Sequence, residues 1–176
     1  MQQPMENNVD TDEKGSNDVE QYLTFMLGGK VYGLAILNIK EIIEYAEMTE
    51  VPMTPDFISG VINLRGSVVP VVDLSLRFSG NATEHTKRTS IIILEIKNND
   101  LKIEIGITVD MVNEVIDIHP GEVEPAPSLG EQIQINFITG MAKVDNKLLI
   151  LLDIENVLSI DELSTVGNIQ NSTEQS

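Results

Sequence analysis

Cysteine and tryptophan are absent from this 176-residue chain, aromatic residues make up 4%, and Lys plus Arg number 11 against 28 Asp plus Glu. Without cysteine there is no disulfide framework, no thiolate metal site and no cysteine nucleophile, which fits a reducing compartment. A net charge of −17 and a pI near 4.2 leave too few cations to track a phosphate backbone. Nucleic acid and anionic membrane surfaces are therefore poor partners. No hydrophobic run approaches the ~18 residues needed to span a bilayer. Residues 1–20 carry six acids and one lysine without an apolar stretch, which is unlike a signal peptide. The expectation is a cytoplasmic protein with no direct membrane insertion.

What the chain does have is branched aliphatic bulk. Its hydrophobic fraction of 41% is enough for a real core. The 22 Ile and 16 Val favour strands, because side chains stiff at χ1 pack well on a pleated surface. Turn signals cut the strand-like runs short at Gly28-Gly29, Arg65-Gly66, Asn98-Asn99-Asp100, Pro120-Gly121 and Asp145-Asn146. This pattern predicts a mostly β protein built as barrels or sandwiches, with few short helices.

Residues 1–20 (acidic) and 163–176 (polar) read as flexible, disordered tails. Between them, the polar stretch from Ser79 to Arg88 divides the chain nearly in half, as a linker or a long loop. An internal repeat supports two units, at about 21–78 and 88–162. The run Ile58–Leu74 aligns without gaps on Ile138–Ile154 at a spacing of 80, placing Gly60 on Gly140, Arg65 on Asp145 and Asp73 on Asp153. A second match, Gly33–Ile43 on Gly106–Ile116, has a spacing of 73 and sets Ile39 on Val112 and Glu41 on Glu114. Leu34–Ile43 alone would also suit a helix, but its Thr- and Val-rich partner segment predicts strands with a bend. Each unit then holds about five strands, with hairpins closing at Arg65-Gly66 and Asp145-Asn146, where positive φ is least costly for Gly and Asn. Short helical turns are expected after Pro55 and after Ile154, the second capped by Asp153.

Chemistry is sparse. Asp110 with Glu114, and Glu122 with Glu124, are acid pairs of the kind common on any surface with this many carboxylates. His85 and His119 lie on expected loops without metal-ligand spacing, and no P-loop, dinucleotide fingerprint or nucleophile elbow occurs. The repeat is more informative. Positions the fold demands should recur, as Gly60/Gly140 and Asp73/Asp153 do, whereas Arg65 falls opposite Asp145. A solvated turn arginine and an interface anchor both remain open readings for Arg65, one of three arginines in the chain. Glu41 recurs as Glu114, as a solvent-facing strand position would. Ile39, Ile42, Val112 and Val115 read most simply as core, and alternatively as lining an apolar groove between the units.

Taken together, Phe25-x-Leu27, Tyr32-Gly33, Ile39-x-Glu41-Ile42, Val51-Pro52 and the run from Ile58 through Asn63-Leu64-Arg65-Gly66 to Val68-Val69-Pro70-Val71-Val72-Asp73-Leu74 resemble the CheW family of chemotaxis coupling proteins. Gly106, Val109-Asp110, Val112, Val115, Phe137-Ile138, Gly140 and Leu151-Leu152-Asp153 agree in the second half, so the resemblance covers about residues 21–162. It implies two SH3-like five-stranded β-barrels with a hydrophobic groove between them, and a non-catalytic adaptor with no cofactor. Such an adaptor would join the cytoplasmic tip of methyl-accepting chemoreceptors to the regulatory domain of a CheA-type histidine kinase, in arrays at the inner face of the membrane. By position, Ile39, Glu41, Arg65, Val112 and Val115 match the family's receptor-facing region, while kinase contacts belong to barrel ends. The two tails depart from the pattern, and the receiver domain of CheV relatives and the phosphotransfer and ATP-binding parts of CheA have no counterpart. A coupling protein with another output stays open, as does, from a different class, a small acidic ligand-binding β-barrel or enzyme.

Overall fold

The computed structural model describes residues 19–52, 54–98, 101–125 and 137–157. The expected tails lie outside these residues except at positions 19 and 20, and Glu20 already opens the first strand. Strands β1 (Glu20–Leu27), β2 (Lys30–Ala35), β3 (Ile39–Glu44), β4 (Ile58–Leu64) and β5 (Ser67–Asp73) lead to helix α1 (Leu74–Ser79). Then come β6 (Ser90–Asn98), β7 (Leu101–Val109), β8 (Met111–Ile118), the short β9 (Val123–Glu124), β10 (Ile138–Val144), β11 (Lys147–Leu152) and α2 (Ile154–Val157). The bend expected within Leu34–Ile43 is a 3-10 turn, Ile36–Asn38, between β2 and β3.

The strands form two sheets, ordered β8-β1-β2-β11-β10-β9 and β3-β6-β7-β5-β4. This corrects the division at 21–78 and 88–162. The hairpin β1–β2 lies in the sheet of β8, β10 and β11, and the hairpin β6–β7 lies in the sheet of β3, β4 and β5. Each half of the chain lends its first hairpin to the other half's sheet. The equivalence of the halves is why the repeat does not reveal this: either hairpin meets the same kind of partner edges in both sheets. The exchange is symmetric to the residue, with Gly33 paired in parallel to Leu151 and Gly106 to Val71. One sheet has six strands rather than five because β9 adds a two-residue edge. The stretch around Ser79–Arg88 is a loop within the five-stranded sheet, joining α1 to β6. It is anchored where Asp73 accepts bonds from the Thr83 amide (2.9 Å) and hydroxyl (2.7 Å).

Each sheet rolls up around a small core of its own. In the five-stranded sheet, Ile43 from edge strand β3 and Leu64 from the opposite edge β4 share one cluster with Val69, Val71, Ile91 and Ile93. In the six-stranded sheet, Ile116 and Ile118 of β8 meet Val123 of β9 and Val144 of β10 around Leu149 and Leu151. A larger cluster, with Phe25, Leu34, Ile150, Val72, Leu94 and Ile105 among its members, draws on both sheets and welds them together. Arg77 of α1 reinforces that junction, its guanidinium lying 5.0 Å from the Phe57 ring centre and 5.3 Å from that of Phe137.

Local features follow the repeat. Arg65-Gly66 (φ 52° and 90°) and Asp145-Asn146 (φ 50° and 64°) close their hairpins with two successive left-handed residues, the twist that matches paired strands. A Cβ on Gly60 would stand 2.6 Å from the Thr49 carbonyl oxygen, and one on Gly140 would stand 2.8 Å from that of Glu124. Only glycine lets the crossing chain bridge there to Val61 or pair with Met141. The expected turn after Pro55 is a single bond from the Ile58 amide to the Pro55 carbonyl (3.0 Å). Helix α1 is additional to the helical turns expected after Pro55 and Ile154. Asp73 caps it by accepting from the Ser75 and Leu76 amides, and Gly80 ends it in the left-handed conformation. At α2, Asp153 accepts from the Glu155 amide (3.2 Å), as expected of a cap.

Candidate functional site

Glu41 sits on β3, one edge of the five-stranded sheet, and Arg65 at the tip of the β4–β5 hairpin, on the opposite edge. Rolling the sheet brings them together. Arg65 donates from both terminal nitrogens to the two carboxylate oxygens, Nη1 to Oε2 at 3.4 Å and Nη2 to Oε1. The Arg65 side chain remains 71% exposed, so this fork is presented to solvent rather than buried. Its hydrogen bond and charge attraction to Glu41 raise the guanidinium pKa still further. The arginine is therefore a permanently charged, geometrically held donor at the surface.

Beside this pair, Lys40 on β3 pairs with Glu104 on β7, and the ammonium pKa is raised by that hydrogen bond. Ile39 and its repeat partner Val112 are half-buried, and both pack against the cluster that joins the sheets. Ile42 and Val115, also partners in the repeat, behave differently: they are 44% and 49% exposed, on edge strands opposite Ile92 and Leu23. The core reading fails for these two. Edge strands leave one flank open, and a period-2 pattern does not reveal which strand is an edge. Of the five singled-out residues, then, the structure joins Glu41 to Arg65 and seats Ile39 and Val112 on one cluster, while Val115 stands apart on the surface. Residue patterning also missed Leu37, 91% exposed on the 3-10 turn that carries the chain between sheets, and Leu148, 55% exposed at the start of β11. Large apolar residues beside turn signals were the available hint.

The candidate chemical groups have structural occupations. Asp110 accepts from the Gly28 amide at 2.9 Å, tying two turns together. His85 is exposed with its ring against Tyr45, centroids 3.9 Å apart. His119 leads into a 3-10 turn where its amide donates to Glu122 Oε1 (2.8 Å). Among the described residues, no group of three or more His, Asp or Glu side chains converges as a metal site would need, and no helix is long and apolar enough to cross a membrane.

Comparison with known proteins accounts for this arrangement. A family model described as a CheW-like domain matches residues 21–162. The chemotaxis protein CheW of Klebsiella aerogenes is 35% identical over 153 residues, covering 87% of this chain and 90% of that protein. The chemotaxis protein CheW of Bacillus subtilis is 37% identical over 139 residues, covering 79% and 86%. The crystal structure of the scaffolding protein TtCheW from Thermoanaerobacter tengcongensis superposes with a TM-score of 0.72 at 35% identity, covering 82% of this chain and 90% of that one. The two rolled sheets are thus the paired SH3-like subdomains of that fold. With most of its length matched by the family and its relatives, the chain belongs to the CheW-like family of chemotaxis scaffold proteins.

Proposed function

We propose that the protein is a non-catalytic adaptor that docks the cytoplasmic tip of methyl-accepting chemoreceptors and the regulatory domain of a CheA-type histidine kinase onto one rigid body. In this reading it works at the inner face of the membrane, recruited to receptor arrays, and needs no cofactor. The observation that carries the reading is the Glu41–Arg65 pair, a charged fork held at the surface whose arginine has no counterpart in the repeat. Arg65 would make the polar contact with the receptor, and Ile39, Val112 and the separately exposed Val115 would offer apolar ones. A receptor helix has the chemistry for this, since it can lay an apolar face on such residues while its polar rim meets the arginine. The welded core suits the role, because a scaffold transmits a partner's position only if its own halves do not slide.

The test is reconstitution. Kinase autophosphorylation is measured in receptor-containing membranes with and without the protein. The expected result is a receptor-dependent change in rate, with no phosphotransfer by the protein itself. Identical rates in the two mixtures would overturn the adaptor reading.

A further inference from the structure

The two barrels differ at one mouth, and the repeat shows how. The ion pairs among the described residues are Glu41–Arg65 and Lys40–Glu104, and both cross the same end of the five-stranded barrel. At the repeat spacing of 73, Lys40, Glu41 and Glu104 correspond to Asn113, Glu114 and Val31; at the spacing of 80, Arg65 corresponds to Asp145. Both cations are therefore gone from the six-stranded barrel. The strand registers further equate β1 with β6, so that Thr24 stands where the other barrel has the larger Ile93. The Thr24 hydroxyl bonds the Glu114 backbone at both its carbonyl (2.8 Å) and its amide (3.1 Å), holding that residue in place.

With no straps and a smaller side chain beneath, the mouth opens into a cavity of about 170 Å³. Its apolar wall is Val31, Ile116, Val144 and Leu149; Glu114, Asp145 and Lys147 supply its charges. Two carboxylates against one ammonium leave the cavity net negative, and among the described residues Lys147 makes no ion pair that would occupy either acid.

We propose that this cavity is a socket for one arginine side chain of a partner protein. It deepens the adaptor reading, on which it rests only for the partner being a protein. The occupant is drawn within the molecule itself, since Glu41, the counterpart of Glu114, holds a guanidinium by both oxygens. Asp145 adds a second carboxylate where the other barrel supplies its own arginine. An arginine also matches the wall, because its aliphatic stem packs on Val31, Val144 and Leu149 while the fork reaches the acids. A lysine would offer a point charge without the paired geometry.

The test uses the full chain, labelled for methyl and amide NMR, titrated with N-acetyl-arginine methylamide. Lysine and norleucine analogues serve as controls. Shifts are expected at the Val31, Val144 and Leu149 methyls and the Glu114 amide, with arginine binding more tightly than either control. Asp145→Arg recreates the strap of the other barrel at a turn position that already accepts Arg65 there (φ 52°). It should weaken arginine binding by about tenfold or more, the worth of a charge-assisted contact. Glu114→Gln should act in the same direction, while the charge-matched Asp56→Arg, at an exposed turn, should leave binding unchanged. Equal shifts from the lysine or norleucine analogue would overturn the proposal. So would binding that survives Asp145→Arg, or that Asp56→Arg weakens as much. No kinase enters the titration, so failure of the socket and failure of the adaptor reading are separate results.

Discussion

Glu41 and Arg65, 24 residues apart in the chain and on opposite edges of one sheet, meet because that sheet rolls on itself, and their fork stays exposed. An exposed pair of long side chains adds little to stability, since water screens it and ordering both side chains opposes it. Arg65→Ala should leave the melting temperature nearly unchanged while reducing receptor-dependent kinase activation severalfold. Glu41→Ala should do the same, and the double variant should be no worse than either single one. Thermal unfolding and reconstituted kinase assays on the cycle would check this, and additive losses would mean that the two residues act separately.

Asp73 is a structural counterpoint. It is 6% exposed, and its carboxylate accepts from the Ser75 amide (3.1 Å), the Leu76 amide (3.3 Å), and the Thr83 amide and hydroxyl. Asp73→Ala removes a helix cap and leaves buried donors unpaired, a loss of about 2–4 kcal/mol. Urea unfolding should show a lower midpoint at an unchanged slope. Asp73→Asn should fall between the two, since one oxygen remains to accept.

Gly60→Ala should destabilise by about 1–3 kcal/mol, the range for forcing extra volume into a packed contact. Its Cβ would meet the Thr49 carbonyl, which accepts from the Val61 amide at 2.8 Å, so the crossing chain must move and that bond must lengthen. Hydrogen exchange at the Val61 and Thr49 amides should accelerate locally. Unchanged protection at both amides would refute the clash.

Tyr32 sets an alkaline limit. It is 3% exposed between Phe25 (ring centres 5.8 Å) and Phe78 (6.0 Å), and burial pushes its phenol pKa above the ordinary 10.0. The folded state thus holds this proton more tightly than the unfolded chain does. Stability from this group is complete below the unfolded pKa near 10 and is lost as pH rises toward the folded value. Denaturant midpoints should be insensitive to Tyr32 below about pH 9 and fall above about pH 10. Tyr32→Phe should make that fall shallower while retaining the ring stack. Tyr22 and Tyr45, also raised by burial, would account for part of the remaining slope.

Much of this architecture was legible in the residues. Gly60/Gly140, Asp73/Asp153 and the two hairpin tips recur at one spacing, and each pair proves to do one local job. Helix α1 is not legible in residue periodicity although Asp73 and Gly80 bracket it, because six residues are too few to show a helical period. The exposure of Ile42 and Val115 is not legible either, since strand alternation says which face a residue takes and not whether anything covers it.

The strands, their turns, the repeat and the acidic, cysteine-free chemistry can be read from the residues alone, because they depend on neighbouring residues and on composition. Which sheet each hairpin joins is set by the packed fold, because a repeat offers chemically equivalent edges and the choice rests on non-local pairing. The packed fold also sets that Glu41 reaches Arg65 and that Glu114 faces an open cavity. Both outcomes depend on how each sheet rolls, a property of packed cores contributed by segments far apart in the chain.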